Sequence, residues 1–103
     1  MVQKIKFSDQ DIMTMRYIID ECIHKMESTE YLSKHEKYFY SVISSFDKIF
    51  NKPKEPKKNK NYNKNLAYYQ LIAARDVLKH FTSFPTGHEL EIILLHAKLD
   101  KLT

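Results

Sequence analysis

Apolar side chains recur at intervals of three and four residues over most of the chain, which is the pattern of amphipathic helices. Two such stripes lie in the first half. Ser8 is a suitable N-cap for the first, and Ser33 with Glu36 forms a capping box for the second. The sequence therefore predicts two helices before residue 51. Their apolar positions are Ile12, Met15, Ile19, Cys22, Ile23 and Met26 in the first stripe and Tyr38, Phe39, Val42, Ile43, Phe46, Ile49 and Phe50 in the second.

Two further stripes lie in the second half of the chain. The third pattern begins near Tyr62, the chain breaks at Pro85, and Thr86 with Glu89 forms a capping box for a fourth helix. The fourth stripe is apolar over more than half of its circumference, so we expect this helix to lie deep in the assembly or in a dimer interface. The apolar positions are Leu66, Tyr69, Ile72, Ala73, Val77 and Phe81 in the third stripe and Leu90, Ile92, Ile93, Leu94, Leu95, Ala97 and Leu99 in the fourth.

Four amphipathic helices indicate an all-α protein. The single glycine and three prolines disfavour a turn-rich β fold. The sequence predicts one domain over residues 1–103, an antiparallel up-down-up-down four-helix bundle, in which a polar loop at about residues 51–61 joins the second and third helices.

The polar loop carries the excess charge of the chain. Residues 1–50 hold seven Lys and Arg against eight Asp and Glu, residues 65–103 hold four against four, and residues 51–64 hold six lysines against one glutamate. The net charge of +4 therefore arises from this segment. We interpret it mainly as a solvated loop, with electrostatic contact to an anionic membrane surface or an acidic partner as the first alternative, and with nucleic acid disfavoured. The candidate contact residues are Lys52, Lys54, Lys57, Lys58 and Lys60.

Motifs for nucleotide-dependent or metal-dependent catalysis are absent from the sequence. One glycine cannot build a phosphate-cradling loop, so no cofactor is expected. His88, Glu91 and His96 share the fourth helix, but they lack the H-E-x-x-H spacing that places two imidazoles on one helix face, and no metal site is predicted. Cys22, on an apolar helix face, is expected to be a buried thiol.

One pair of residues suggests an enzymatic alternative. In the stretch ARDVLKH, Arg75 and His80 are separated by four residues, which resembles the R-x4-6-H motif of HEPN ribonucleases. That resemblance implies His80 as general acid and base and Arg75 as the group that stabilises charge on an RNA phosphate, in a dimer. Surface positions on the third helix are the simpler interpretation, and we expect no enzymatic activity.

Neither end of the sequence indicates export or membrane insertion. Residues 1–7 carry no apolar run of the secretory type, and no stretch approaches the roughly 20 apolar residues of a membrane span. The expected location is the cytoplasm, with the inner membrane surface as a further place of contact.

Residues 63–102, NKNLAYYQLIAARDVLKHFTSFPTGHELEIILLHAKLDKL, resemble the second half of pediocin-like bacteriocin immunity proteins of Gram-positive bacteria. In that family a helix with tyrosine and alanine ends in a short turn, and an acidic and then apolar helix follows. The resemblance implies a four-helix bundle that protects a producing cell. The implied partner is the membrane receptor complex that the bacteriocin attacks, typically a sugar phosphotransferase permease, bound from its cytoplasmic side. A lysine-rich loop suits an anionic inner leaflet.

A second non-enzymatic hypothesis fits the same composition. A small phage-encoded or plasmid-encoded inhibitor that binds a host protein would have this size and this Lys/Asn content. The sequence does not separate such an inhibitor from an immunity protein.

Overall fold

The computed structural model describes residues 2–28, 33–82 and 87–103, and its described part contains four helices and two strands. The predicted all-α four-helix bundle is therefore wrong, and the protein has an α+β fold. In chain order the elements are β1 (Val2–Ser8), α1 (Asp9–Glu27), α2 (Lys34–Phe50), β2 (Asn61–Ala67), α3 (Tyr68–Phe81) and α4 (Glu89–Asp100).

The two strands form an antiparallel ribbon although two helices separate them in the sequence. Val2 pairs with Ala67 at one end of the ribbon, and Ser8 pairs with Asn61 at the other. The third apolar stripe was predicted to begin a helix near Tyr62, but the chain stays extended through Ala67. Asparagine is depleted in strands, so local composition gave no signal, and the pairing partner lies far away in the sequence.

The predicted starts of the first two helices are confirmed. The hydroxyl of Ser8 accepts from the backbone N–H of Asp11 at 3.1 Å, and the Asp11 carboxylate accepts from the Ser8 N–H at 3.0 Å. Ser33 and Glu36 make the same reciprocal pair at 3.2 and 3.1 Å. These local bonds satisfy backbone donors that the first helical turn leaves free.

The fourth helix begins later than its predicted capping box suggests. Pro85 and Thr86 lie outside the described residues, His88 is the N-cap of α4, and the Glu89 carboxylate accepts from the backbone N–H of Gly87 at 3.0 Å. Gly87 has a positive φ of 83°, a conformation that glycine adopts without strain.

The chain consists of two strand–helix–helix units. β1, α1 and α2 form the first unit, and β2, α3 and α4 form the second. Adding 59 to the residue numbers carries β1 onto β2, and it carries the junction between β1 and α1 onto the junction between β2 and α3. The buried residues of the two first helices also correspond, in the pairs Ile12 and Leu71, Met15 and Ala74, Ile18 and Val77, and Ile19 and Leu78. The two units are therefore related by an approximate two-fold axis that passes through the ribbon.

The same shift relates two arginines with similar tasks. Arg16 on α1 donates to carbonyl groups at the end of α2, and Arg75 on α3 contacts Asp100 and Thr103 at the end of α4. A cation at a helix C-terminus is favoured by the helix dipole. Each arginine thus ties the end of its unit's second helix to the first.

The core lies between the ribbon and the helices, and both units contribute to it. Cys22 is 6% exposed, which confirms its predicted burial. The apolar circumference of α4 is divided, since Ile92, Leu95 and Leu99 are buried. Three other apolar residues of this helix, Leu90, Ile93 and Leu94, are 50–66% exposed.

Candidate functional site

One face of the ribbon is open to solvent. Side chains alternate between the two faces of a strand, and directly paired residues share a face. The outer face, as we call the solvent side, carries exposed side chains from both strands and no acidic residue. Its exposed members are Val2, Lys4, Lys6, Asn61, Asn63 and Asn65.

The opposite, inner face anchors the ribbon to the helices. Ile5, Phe7 and Leu66 are almost fully buried, at 0–3% exposure. The ring of Phe7 meets that of Phe50 edge to face, with 5.2 Å between centroids. Because each strand runs directly into a helix, the ribbon cannot shift without moving α1 and α3. The outer face is therefore presented on a rigid support.

Electrostatics favour an anion at the outer face. The two strands hold three lysines and no acid. Asp11, at the start of α1, is paired with Lys98, whose Nζ lies 2.8 Å from its Oδ2 and also donates to the carbonyl of Lys6. The carboxylate of Asp11 is thus partly neutralised.

Lys64 lies on the inner side of the ribbon, in a cationic setting. Burial lowers the pKa of Lys64, and the charges of Arg16 and Lys52 lower it further. Its Nζ donates to the carbonyl of Lys52 at 2.8 Å. This lysine supports the loop that precedes β2, whereas the outer-face lysines remain directed to solvent.

The lysine-rich segment, residues 51–60, connects α2 with β2 and is held in place by hydrogen bonds. It does not join two helices directly, as the sequence had suggested. Arg16 donates to the carbonyl of Phe50 at 2.6 Å, to that of Lys54 at 2.8 Å, and to that of Pro53. The N–H of Lys57 donates to the Tyr62 hydroxyl at 2.8 Å. The five predicted contact lysines, Lys52, Lys54, Lys57, Lys58 and Lys60, all have exposed side chains.

Comparison of the chain with protein-family models, with curated proteins and with solved structures found no match.

A concave surface lies beside β1. It is a groove of about 520 Å³ between β1 and the C-terminal half of α4. Its lining combines the apolar side chains of Ile5, Leu94 and Leu102 with lysines, of which Lys4 and Lys6 also belong to the outer face. The groove therefore adjoins the outer face and adds to its positive border.

The predicted nuclease pair is not brought together within the chain. Arg75 is held by Asp76 at 3.2 Å and by the hydroxyl of Thr103 at 2.8 Å, and the ring of His80 packs against Phe81. Five positions turn an α-helix by about 140°, so the two side chains leave α3 in different directions.

Two further expectations concern metals and membranes. Among the residues that the structure describes, no three His, Cys, Asp or Glu side chains are grouped so that they could hold a metal ion. The ring of His88, which was considered above as a metal ligand, packs against the ring of Tyr17, with 4.6 Å between the centroids. Within the same described ranges, no helix is both long and apolar enough to cross a membrane.

Sequence reasoning missed the residues that matter most here, Lys4, Lys6, Asn63 and Asn65. A period-two signal was available in β1, because Ile5 and Phe7 alternate with polar residues, but in β2 Lys64 interrupts it between Tyr62 and Leu66. The signal is short, and the helical stripes on either side of it are longer.

Proposed function

We propose that this protein binds duplex DNA by placing its β-ribbon in the major groove. The observation that carries the proposal is the outer face, a solvent-open side of a two-stranded antiparallel ribbon that bears lysine and asparagine and no acid. The major groove of B-DNA is about 12 Å wide and admits a two-stranded ribbon.

The side chains of the outer face suit base recognition. Lysine donates to the O6 and N7 acceptors of guanine, and asparagine pairs with the N6 donor and the N7 acceptor of adenine. Lys4, Lys6, Asn63 and Asn65 supply these two chemistries at adjacent positions. The lysines of residues 51–60, which lead into β2, are placed to contact phosphates beside the groove and to add affinity without sequence preference.

The geometry favours DNA over double-stranded RNA. The major groove of A-form RNA is deep and too narrow for side chains to read. Ile5, Phe7 and Leu66 hold the ribbon to the core, so the ribbon cannot become narrow enough to enter such a groove.

Bacteriocin immunity and inhibition of a host protein remain predictions from the sequence. HEPN-type cleavage of RNA remains the enzymatic alternative from the same source. The four-helix bundle on which the immunity prediction depended is not the fold of the protein. Protection of a sensitive Gram-positive host against one of a panel of pediocin-like peptides would restore that hypothesis.

The test compares a ribbon variant with a charge-matched control. Lys4→Ala/Lys6→Ala/Asn63→Ala/Asn65→Ala removes the outer-face chemistry. Lys34→Ala/Lys37→Ala removes the same charge from exposed positions at the start of α2. That helix begins where α1, a helix of about 28 Å, has led the chain away from the ribbon.

Binding is measured by fluorescence anisotropy with labelled duplex fragments at two salt concentrations. We expect the wild type to bind, the ribbon variant to lose at least about 100-fold in affinity for its best fragment, and the control to change by less than about threefold. The proposal would be overturned if the wild type does not bind duplex DNA at low salt, or if the ribbon variant binds as well as the wild type.

A further inference from the structure

The two halves of the outer face are related by symmetry in position but not in chemistry. The pairing of Ile5 with Lys64 marks the approximate two-fold axis, because residue 64 is both the partner of residue 5 and its equivalent after the shift of 59 positions. Rotation about this axis carries position 4 onto position 63 and position 6 onto position 65. Lys4 is therefore equivalent to Asn63, and Lys6 is equivalent to Asn65.

When a protein with two-fold symmetry binds DNA, the sequence that it recognises normally has the same two-fold symmetry. A protein with two identical halves recognises a palindrome, because each half meets the same bases. In this protein both halves belong to one chain, so equivalent positions can carry different residues. One strand presents two cationic donors, and the other presents two amides that both donate and accept.

From this difference we infer, on the basis of the proposed function, that the recognised duplex is not a palindrome. Lys4 pairs with Asn65 and Lys6 with Asn63, so each half-site meets one lysine and one asparagine. Guanine under Lys4 corresponds to adenine under Asn63, and guanine under Lys6 corresponds to adenine under Asn65, so the two half-sites differ. The chain consequently lies on its site in a single orientation, with the lysine-rich residues 51–60 beside a fixed end.

The inference is tested by selection from a duplex library with a random central segment. The wild type is compared with two variants that make the ribbon symmetric, Lys4→Asn/Lys6→Asn and Asn63→Lys/Asn65→Lys. All four substitutions exchange one exposed polar residue for another, and circular dichroism confirms that each variant is folded.

We expect the wild type to select a non-palindromic sequence in which guanine and adenine exchange places between equivalent positions of the two halves. The Lys4→Asn/Lys6→Asn variant should select a palindrome of adenine-containing halves, and Asn63→Lys/Asn65→Lys a palindrome of guanine-containing halves. A palindrome selected by the wild type, or variants whose selected sequences equal that of the wild type, would refute the inference and leave DNA binding intact.

A second measurement needs only the wild type. Two synthetic palindromes are built, each from one half of the selected sequence, and their affinities are compared with that of the selected sequence itself. We expect each palindrome to bind at least about tenfold more weakly, and equal affinities would refute the inference. Failure to enrich any duplex would instead remove the proposed function, and the inference with it.

Discussion

Arg16 shows how a single side chain can hold a loop that composition alone suggests is free. Its guanidinium donates to three carbonyl groups, those of Phe50, Pro53 and Lys54, where α2 ends and the lysine-rich segment begins. Arg75, its equivalent in the second unit, bonds to exposed partners, Asp76 on α3 and Thr103 beyond the end of α4. The two arginines therefore differ in how much stability they add.

This difference can be measured by changing each arginine to glutamine. Hydrogen bonds from a charged group to partly buried acceptors contribute more than exposed ion pairs. We expect Arg16→Gln to lower the free energy of unfolding by about 2 kcal/mol and Arg75→Gln by less than about 1 kcal/mol, in urea titrations at neutral pH. Equal losses would show that the three carbonyl contacts of Arg16 add nothing.

Cys22 gives the protein a predictable response to alkaline pH. Burial raises the pKa of the thiol from 9.0 to about 11. Between these values the unfolded chain releases the thiol proton while the folded chain keeps it, so the free energy of unfolding falls as the pH rises above 9. We expect this fall between pH 8 and 10 to be about 1 kcal/mol larger in the wild type than in Cys22→Ala. Parallel curves for the two proteins would mean that the thiol is not buried.

At the scale of the elements, the ribbon combines a conventional inner face with an outer face of poor strand formers. Asparagine occupies Asn61, Asn63 and Asn65 in β2, although it is among the residues least favoured in strands. A strand of this composition forms because Leu66 is buried beneath it and because β1 pairs with it. The outer-face residues thus serve stability poorly, which is typical of residues retained for binding.

Replacement of the two central asparagines should separate stability from binding. We expect Asn63→Thr/Asn65→Thr to raise the free energy of unfolding by about 0.5 to 1 kcal/mol, because threonine suits a strand, and to abolish the preference for adenine in DNA binding. Gln3→Thr on the inner side of β1 is the matched control, with DNA binding unchanged. A less stable double variant would mean that the asparagines have structural partners.

For the whole molecule, the distribution of charge matters more than the total. The excess of lysine lies in residues 51–64, and the structure brings this segment to the same ribbon as Lys4 and Lys6. A nearly neutral helical body therefore carries its excess positive charge at the ribbon and at the segment that leads into β2. Phosphate contacts there would make affinity depend strongly on salt.

Neutralisation of the loop tests this distribution. We expect a variant with Lys52, Lys54, Lys57, Lys58 and Lys60 changed to glutamine to unfold within about 1 kcal/mol of the wild type, since exposed charges contribute little. The slope of log affinity against log salt should become shallower by about one unit for each lysine that contacts a phosphate, with the selected sequence unchanged. An unchanged slope would remove the loop from the interface, and a large loss of stability would show that its lysines pack.

Local sequence signals predicted the first two helices well. The caps at Ser8 and Ser33, the end of α2 near Asn51 and the buried position of Cys22 all follow from interactions within about one helical turn. Such interactions leave their pattern in neighbouring residues, so a single sequence is enough to detect them. The exposure of the loop lysines belongs to the same group, because a run of like charges between prolines has nothing nearby to pack against.

The ribbon and its outer face were decided by tertiary structure. Val2–Ser8 and Asn61–Ala67 are short, each has only a few alternating residues, and the hydrogen bonds that make them strands connect segments about 60 positions apart. Only this pairing places Lys4 and Lys6 beside Asn63 and Asn65. The sequence by itself therefore determined where the first two helices begin and which of their faces are apolar. In α3 the predicted stripe was wrong, since Tyr69 is 58% exposed and Leu71 is buried instead. Contacts between distant segments determined the fold class and the candidate site, because no local pattern encodes which strand pairs with which.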